Sequence, residues 1–156
     1  MNTPLLIRQA IQHDAATLSD LILSNATRTL RAYYSPEQWE AFISYYSVKA
    51  MEEKISDQKV FCGVFDGEII GTIGLDSNFL VGFYMRFDKL NRGFGVLLLQ
   101  YIEAFALKEG FNAIQLAASP VAVAYYLKNG WQIVEEVTIA YRGVPFLETL
   151  MVKSLA

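Results

Sequence analysis

After a short predicted strand at residues 5–9, the first third of the chain has the apolar spacing of α-helices. Asp14 stands where the N-cap of the first helix belongs. The Ser-Pro-Glu-Gln sequence at residues 35–38 predicts the start of a second helix, because the serine caps it, the proline fits the first turn and the glutamine completes a capping box. A third helix is predicted over residues 48–55. The apolar face of the first helix is formed by Leu18, Leu21, Ile22 and Ala26.

From residue 59 the pattern changes to that of β-strands. Residues 59–65 and 68–75 are rich in β-branched and aromatic side chains, and the Asp66-Gly67 pair between them is a strong signal for a two-residue hairpin turn. A turn at residues 76–78 leads into a third strand at residues 79–86. The sequence therefore predicts an antiparallel meander of three strands.

The second half of the chain returns to mixed helix and strand. The longest helical pattern covers residues 94–109, and Gly110 is expected to end it as a left-handed C-terminal cap. A strand at residues 113–117 follows, and Pro120 and Gly130 are expected to begin and end a short helix. The last two strands are predicted at residues 131–142 and 146–152, around an Arg142-Gly143 turn.

This order of elements predicts a fold of the α/β (α+β) class. We expect a single domain over residues 1–156, with a mixed, mostly antiparallel central sheet of about seven strands flanked by about four helices.

Composition narrows the class of protein. A hydrophobic fraction of 53% with 19% charged residues is too apolar for a disordered chain and too interrupted by charge for a membrane protein. The net charge of −3 argues against a nucleic-acid partner, and no metal site is expected. The N-terminus has no basic leader with a long apolar run, so a cytoplasmic location is expected. Cys62 lies in an apolar run and is expected to be a small buried hydrophobe rather than a catalytic thiol.

The loop at residues 90–95, Leu-Asn-Arg-Gly-Phe-Gly, enters the longest predicted helix. The first turn of a helix has N–H groups without partners and the positive end of the helix dipole, so it can bind phosphate, and Arg92 adds a positive charge. Glycines at such a position can also serve only to permit a tight bend, and the motif alone leaves both interpretations open. Nucleotide folds with a P-loop or a dinucleotide fingerprint are disfavoured, because the Gly-Lys-Ser/Thr is absent and Leu98 occupies the third-glycine position.

Four segments together carry a resemblance to a known family. Residues 84–95 place a strand before this glycine loop, and residues 122–131 read Ala-Val-Ala-Tyr-Tyr-Leu-Lys-Asn-Gly-Trp. They are accompanied by the hairpin that leads through residues 70–74 and by the helix start at residues 33–38. In order and spacing these segments resemble the GNAT superfamily of N-acetyltransferases over nearly the whole chain. The two main motifs correspond to its Q/R-x-x-G-x-G/A pyrophosphate loop and its A-x-x-F-Y-x-x-x-G-F/Y segment.

The resemblance implies a reaction and a set of binding residues. It implies transfer of an acetyl group from acetyl-coenzyme A to a primary amine of a small molecule, peptide or protein, by direct attack in a ternary complex. Leu90 stands where the family usually has Gln or Arg, and Val121 where it often has Asn, which predicts fewer polar contacts with the cofactor. The implied cofactor-binding residues are Tyr84, Met85, Arg86, Leu90, Asn91, Arg92, Gly93, Phe94, Gly95, Val96, Ser119, Val121 and Tyr126.

Two catalytic roles follow from the same resemblance. The backbone N–H of Met85 is implied as the donor to the developing oxyanion, and the hydroxyl of Tyr126 as the general acid for the departing thiolate. From the residues alone, Met85 belongs to an ordinary central strand and Tyr126 is a packing aromatic, so both alternatives stay open. The sequence does not identify a general base: His13 is expected to be solvated, and nothing places Glu68, Asp76 or Glu148 near an amine.

The acceptor and the overall role are less defined by sequence. Tyr33, Tyr34 and Trp39 are candidate acceptor-binding residues, and Arg28 and Arg31 would favour an acceptor with an acidic group. A non-catalytic acyl-coenzyme A sensor or regulatory module is the main alternative function, and an unrelated nucleotide-binding domain is a weaker one. We expect a monomer or a homodimer without a membrane partner.

Overall fold

A seven-stranded mixed sheet is the centre of the fold in the computed structural model, which describes residues 4–155 of the chain. The strands are β1 (Leu6–Gln9), β2 (Lys59–Phe65), β3 (Glu68–Asp76), β4 (Phe79–Met85), β5 (Ala113–Ala118), β6 (Gln132–Tyr141) and β7 (Val144–Ser154). Their order across the sheet is β1-β2-β3-β4-β5-β7-β6, and only β4 and β5 pair in parallel. The predicted class and the mostly antiparallel sheet are confirmed.

Helices cover both faces of this sheet. The described residues form five α-helices, one more than the number expected: α1 (Ala15–Thr29), α2 (Pro36–Tyr45), α3 (Val48–Asp57), α4 (Phe94–Lys108) and α5 (Val123–Lys128). Three short 3-10 helices lie at Gln12–Asp14, Arg31–Tyr33 and Phe87–Lys89. No helix in the described part of the chain has both the length and the apolar character needed to cross a membrane.

Strand alternation separates the core into two layers. Phe61 of β2 packs into a cluster with α4 and α5, whereas its neighbours Val60 and Cys62 pack into a cluster with α1, α2 and α3. Successive side chains of a strand point to opposite faces, so each layer of helices receives every second residue. Cys62 is fully buried as expected, and burial raises the pKa of its thiol to about 12.

The predicted turn and cap chemistry is confirmed at several positions. The Ser35 hydroxyl accepts a hydrogen bond from the Gln38 N–H (3.1 Å), and the Gln38 side chain accepts one from the Ser35 N–H (3.0 Å), which is a complete capping box. Asp66 and Gly67 have φ angles of 52° and 79°, and both central residues of a type I′ hairpin turn need positive φ. Gly110 ends α4 with a φ of 98°.

Two expectations about helix starts need correction. Asp14 stands at the N-cap position of α1 but makes no capping bond there, because its carboxylate accepts two hydrogen bonds from Arg8 (2.8 and 3.0 Å) and one from the Ile11 N–H (2.8 Å). The charge-assisted pair with Arg8 also lowers the pKa of Asp14. The short helix α5 begins at Val123 rather than at Pro120, because residues 119–122 form a separate turn.

The feature of the sheet that matters for function is the parting of β4 from β5. The two strands share one paired position, Phe79 opposite Gln115. Along the edge that pairs with β3, β4 contains a β-bulge. Tyr84 pairs with Thr72 and Val81 pairs with Gly74, so β4 has one residue more than β3 between these two pairs. Gly82, inside the bulge, has a φ of 57°. A bulge bends the strand that carries it. The bend directs the end of β4 away from β5 and opens a cleft in the middle of the sheet.

The packing of α4 gives a test of this core. Leu98 is fully buried and lies against the glycines of β2 and β3, where a Cβ on Gly71 would come within 2.8 Å of it. We expect Leu98→Ala to lower the free energy of unfolding by about 3 kcal/mol, through lost burial and a residual cavity. Leu97→Ala is the matched control, because that side chain is 46% exposed, and we expect a change within about 0.5 kcal/mol. Urea unfolding measures both, and equal losses would contradict the assigned packing.

Candidate functional site

A cavity of about 680 Å³ lies in the cleft between β4 and β5. Residues of α1, α2, the loop before α4, α5 and the β6–β7 hairpin complete its walls. The cavity brings together most of the site residues that the sequence predicted. Those that line it are Tyr34, Tyr84, Met85, Leu90, Asn91, Gly93, Gly95, Val96, Ser119, Val121 and Tyr126.

Five predicted site residues do not line this cavity. The Arg86 N–H donates to the Ile70 carbonyl (2.7 Å), and its guanidinium forms ion pairs with Glu68 (2.9 Å) and Asp88 (2.7 Å). Tyr33 is 69% exposed, and Trp39 is partly buried and stacks on Phe42. Arg92 is exposed and Phe94 packs against Phe65.

The end of β4 presents backbone groups to the cleft. Since the Arg86 N–H points to β3, alternation along the strand directs the N–H and C=O of Met85 to the opposite side, towards the cleft. The Met85 carbonyl accepts a hydrogen bond of 2.7 Å from the buried side-chain amide of Asn25 on α1. Thr29 in turn donates to the Asn25 side-chain oxygen (2.9 Å). Asn25 therefore fixes the Met85 peptide where β5 no longer pairs with it.

The start of α4 forms one end of the cavity. Gly93 is its N-cap residue with a φ of 83°, so no side chain caps the first-turn N–H groups. A Cβ on Gly95 would lie 3.2 Å from the Tyr125 hydroxyl, so glycine allows the tyrosine to approach the helix start. Lys89, which the sequence analysis did not select, also lines the cavity here. Free N–H groups, a helix dipole and a lysine make this end suitable for an anion.

Both tyrosines of α5, Tyr125 and Tyr126, line the cavity. Tyr126 is 8% exposed, and its ring packs against Phe83, Tyr125 and Trp131. Burial raises the pKa of its hydroxyl above the usual range, so the hydroxyl carries its proton at neutral pH. It can therefore act as a proton donor into the cavity.

The opposite end of the cavity is an aromatic chamber, formed by rings whose centroids are 4.8–6.3 Å from their neighbours. Glu148 of β7 lines the same cavity, is 8% exposed, and accepts a hydrogen bond of 2.5 Å from the Tyr141 hydroxyl. Burial raises the pKa of its carboxyl. The rings of the aromatic chamber are Tyr34, Phe42, Tyr45, Tyr46, Tyr84, Tyr141 and Phe146.

Sequence reasoning missed Asn25, Lys89 and the two rings of the β6–β7 hairpin, and it considered Glu148 without placing it at the site. A signal for Glu148 exists: in β7 it shares the inward face with Phe146, while Leu147 between them is 57% exposed. A carboxylate at an inward position of a strand is unusual enough to indicate a site. Asn25 leaves no such signal, because one polar residue on a helix face is common. Among residues 4–155 no group of three or more His, Cys, Asp or Glu side chains is arranged to hold a metal.

Comparison with known proteins identifies the family. A sequence profile described as an acetyltransferase (GNAT) domain matches residues 30–154. The chain therefore belongs to the GNAT acetyltransferase family, as the resemblance in sequence implied. No curated protein sequence matches the chain.

Solved structures share the whole fold at low sequence identity. A GCN5-related N-acetyltransferase from Rhodopseudomonas palustris superposes with a TM-score of 0.89 at 22% identity, covering 99% of this chain and 98% of that one. The PaiA N-acetyltransferase from Thermoplasma acidophilum, solved with coenzyme A, gives 0.82 at 23% identity and covers 97% and 99%. An aminoglycoside 6′-N-acetyltransferase complexed with coenzyme A gives 0.70 at 16% identity and covers 97% of both chains.

The buried carboxylate gives a prediction for stability. Because the folded state raises the pKa of Glu148, it binds this proton more tightly than the unfolded chain does, and the associated stability is present at low pH and lost as pH rises through the folded pKa. Glu148→Gln mimics the neutral form, so we expect it to have a higher free energy of unfolding than the parent at pH 8, with the difference shrinking towards pH 4.

Urea unfolding at several pH values measures this difference. Glu136→Gln is the matched control, because Glu136 is exposed on β6, and it is expected to show no pH-dependent gain. A Glu148→Gln variant that is less stable than the parent by the same amount at every pH would contradict the assigned burial cost.

Proposed function

We propose that the protein is an N-acetyltransferase that moves an acetyl group from acetyl-coenzyme A to a primary amine, by direct attack in a ternary complex. The observation that carries this proposal is the cleft between β4 and β5, which joins the start of α4 at one end to the aromatic chamber at the other. A donor and an acceptor that enter from the two ends meet beside Met85 and Tyr126. Coenzyme A in two of the similar structures supports the identity of the donor.

The residues present fit the cofactor. The free N–H groups of the first turn of α4, with Lys89 beside them, provide donors and positive charge for a diphosphate. Leu90, Asn91 and Val96 line the adjacent part of the cavity, while Ser119 and Val121 line it beyond the end of β5. At Leu90 and Val121 the chain has apolar residues where the family usually has polar ones, so fewer side chains form polar contacts with the cofactor. Most of these contacts are then expected from backbone groups, which do not depend on the side chain.

The chain's own groups are placed for the chemistry of acyl transfer. Acetyl-coenzyme A supplies a thioester whose carbonyl carbon accepts the amine. The Met85 N–H, which is directed into the cleft, is the proposed donor to the thioester carbonyl oxygen as it gains negative charge. Asn25 holds the carbonyl of the same residue by a hydrogen bond. The Tyr126 hydroxyl is the proposed donor of a proton to the departing sulfur. Its raised pKa keeps it protonated until that step.

A non-catalytic sensor of acyl-coenzyme A is the alternative that the tests below distinguish. An enzyme is the preferred proposal, because the cavity extends beyond the proposed cofactor end into the aromatic chamber and is lined by Tyr126, a candidate proton donor. Among the acceptor residues predicted from sequence, Tyr34 remains the best candidate. The cytoplasmic location and the monomeric or homodimeric state remain predictions from the sequence.

The cofactor site is tested by Gly93→Asp. This change introduces a side chain at a φ of 83° and a negative charge where the diphosphate is proposed to bind. We expect the affinity for coenzyme A, measured by calorimetry, to fall on the order of 100-fold, which corresponds to about 2.7 kcal/mol. Gly110→Asp is the matched control, because it has a similar positive φ of 98° at the other end of α4. If both variants bind coenzyme A as the parent does, the site is assigned to the wrong loop.

The acid role is tested by Tyr126→Phe. We expect kcat, followed by release of the coenzyme A thiol, to fall about 10²-fold while the affinity for acetyl-coenzyme A is kept, because only the proton donor is lost. Tyr101→Phe removes a hydroxyl from α4, where the ring packs on Phe61 outside the cavity, and serves as the control with parent activity. Full turnover by Tyr126→Phe would exclude the hydroxyl as the acid. Binding without turnover of any amine by the parent would favour the sensor.

A further inference from the structure

Glu148 is a buried charge without a cationic partner in the protein. Among residues 4–155 no lysine, arginine or histidine nitrogen lies within 4.0 Å of its carboxylate. Its observed contact is the hydrogen bond from the Tyr141 hydroxyl. Glutamate is almost never this buried unless it is paired, because an ionised carboxylate loses its hydration on burial. The missing partner is therefore expected to come from a ligand of the cavity.

The rings around Glu148 favour one kind of ligand. Tyr141, which donates its hydroxyl to Glu148, packs against Tyr45 (4.8 Å between ring centroids) and Phe146 (5.2 Å). The rings of Tyr46 and Tyr34 contact these two in turn, at 4.9 and 5.1 Å. Burial raises the pKa values of all four tyrosines, and the Glu148 charge adds to this. The faces of aromatic rings attract cations, and a set of rings beside a carboxylate is a typical site for an ammonium group. The remaining walls of the chamber are apolar, which suits a hydrocarbon or aromatic body.

The charges that line the cavity also exclude other ligands. Lys89 and Glu148 are its charged lining residues, and Lys89 lies beside Leu90 at the cofactor end. Lys54 lies over the rings of Tyr45 (3.7 Å) and Tyr46 (5.2 Å) but does not line the cavity. Within residues 4–155, therefore, no cation lines the chamber to meet an acceptor carboxylate. Arg28 and Arg31, which the sequence suggested for an acidic acceptor, lie over the rings of Phe87 (4.7 Å) and Trp39 (5.5 Å) and do not line the cavity. The single carboxylate of Glu148 can also neutralise one positive charge of a ligand, so further positive charges would have no counter-ion in the chamber.

We propose that the aromatic chamber binds the acceptor as an ammonium ion with a single positive charge and an apolar body, and that Glu148 is its counter-ion. This inference rests on the proposed acetyltransferase function. It identifies the acceptor class as hydrophobic monoamines, such as alkylamines and arylalkylamines, and disfavours amino acids and polycationic amines.

The same contact supplies the first proton transfer. One N–H bond of the ammonium breaks, its proton passes to a Glu148 oxygen, and the electron pair stays on nitrogen. The neutral amine then has the lone pair that attack on a carbonyl carbon needs, and Glu148 later releases the proton to solvent. The raised pKa of Glu148 makes its carboxylate a better proton acceptor than an exposed one. The four surrounding tyrosines have raised pKa values and stay neutral, so they do not compete for this proton.

Binding tests the counter-ion role without turnover. Trimethyl(2-phenylethyl)ammonium has the proposed charge and body but no proton to lose, and 2-phenylethanol is its uncharged analogue. With coenzyme A present, we expect calorimetry to show that the ammonium probe binds the parent protein and that Glu148→Gln weakens its binding at least about tenfold. Glu136→Gln is expected to bind it as the parent does. Equal affinity of the parent and Glu148→Gln for the ammonium probe would overturn the proposal.

Turnover with a matched amine panel tests the acceptor class. We expect 2-phenylethylamine and hexylamine to be acetylated with higher kcat/KM than phenylalanine, which adds a carboxylate to the same body, and than spermidine, which adds charge. Glu148→Gln should lower kcat/KM for 2-phenylethylamine about 100-fold, since it loses both the counter-ion and the proton acceptor. A preference for phenylalanine or spermidine would overturn the inference.

The failure of this inference is distinguishable from failure of the proposed function. Affinity for acetyl-coenzyme A is measured separately for the parent and Glu148→Gln, and it is expected to be the same in both, because the proposal assigns Glu148 to the acceptor and not to the cofactor. If the parent binds acetyl-coenzyme A and acetylates amines regardless of their charge or of Glu148, the proposed acetyltransferase function is retained and the proposed acceptor class is rejected. If acetyl-coenzyme A does not bind, the proposed function itself fails.

Discussion

The separation of β4 from β5 is the constraint on which the rest of the structure depends. Parallel neighbours in a sheet normally satisfy each other's backbone groups along their whole length, but here pairing stops after Phe79 and Gln115. The bulge at Gly82 produces the bend, and Asn25 satisfies the Met85 carbonyl that the bend leaves without a strand partner. The opening is thus built into the backbone, and α4, α5 and the β6–β7 hairpin close it into a cavity.

Features that cost stability are concentrated around this opening. The cleft interrupts the sheet, Gly93 leaves the start of α4 uncapped, and Glu148 is a charge in an apolar chamber. Away from the opening, by contrast, the helix starts have a capping box at Ser35 and an ion pair between Arg8 and Asp14, whose carboxylate also accepts from the Ile11 N–H. The contrast indicates that the site residues are kept for binding and chemistry, while stability comes from the helix layers.

Much of the fold could be predicted from sequence because local signals agree with the tertiary structure. Asp66-Gly67, the Ser35 capping box and Gly110 each determine a turn or a helix end by their own chemistry. Asp14 was expected to cap α1 with its side chain, but its carboxylate binds Arg8 in the neighbouring strand instead. The predicted residues that line the cavity include five of the α4 loop, Leu90, Asn91, Gly93, Gly95 and Val96, because that loop is one continuous segment. The roles of Glu148 and Asn25 become visible only when the fold brings β7 and α1 to the cleft between β4 and β5.

The single paired position between β4 and β5 also has a mechanical consequence. Most sheets are weakest at their outer strands, where one side of the ladder faces solvent, whereas here the weakest line runs through the centre. The strands β1–β4 and the group β5, β7 and β6 are joined across that line mainly by side chains. A molecule that fills the opening and contacts both groups takes the place of the absent ladder. Such a molecule therefore adds a second link between the two halves of the sheet, beside the shared core beneath α4 and α5.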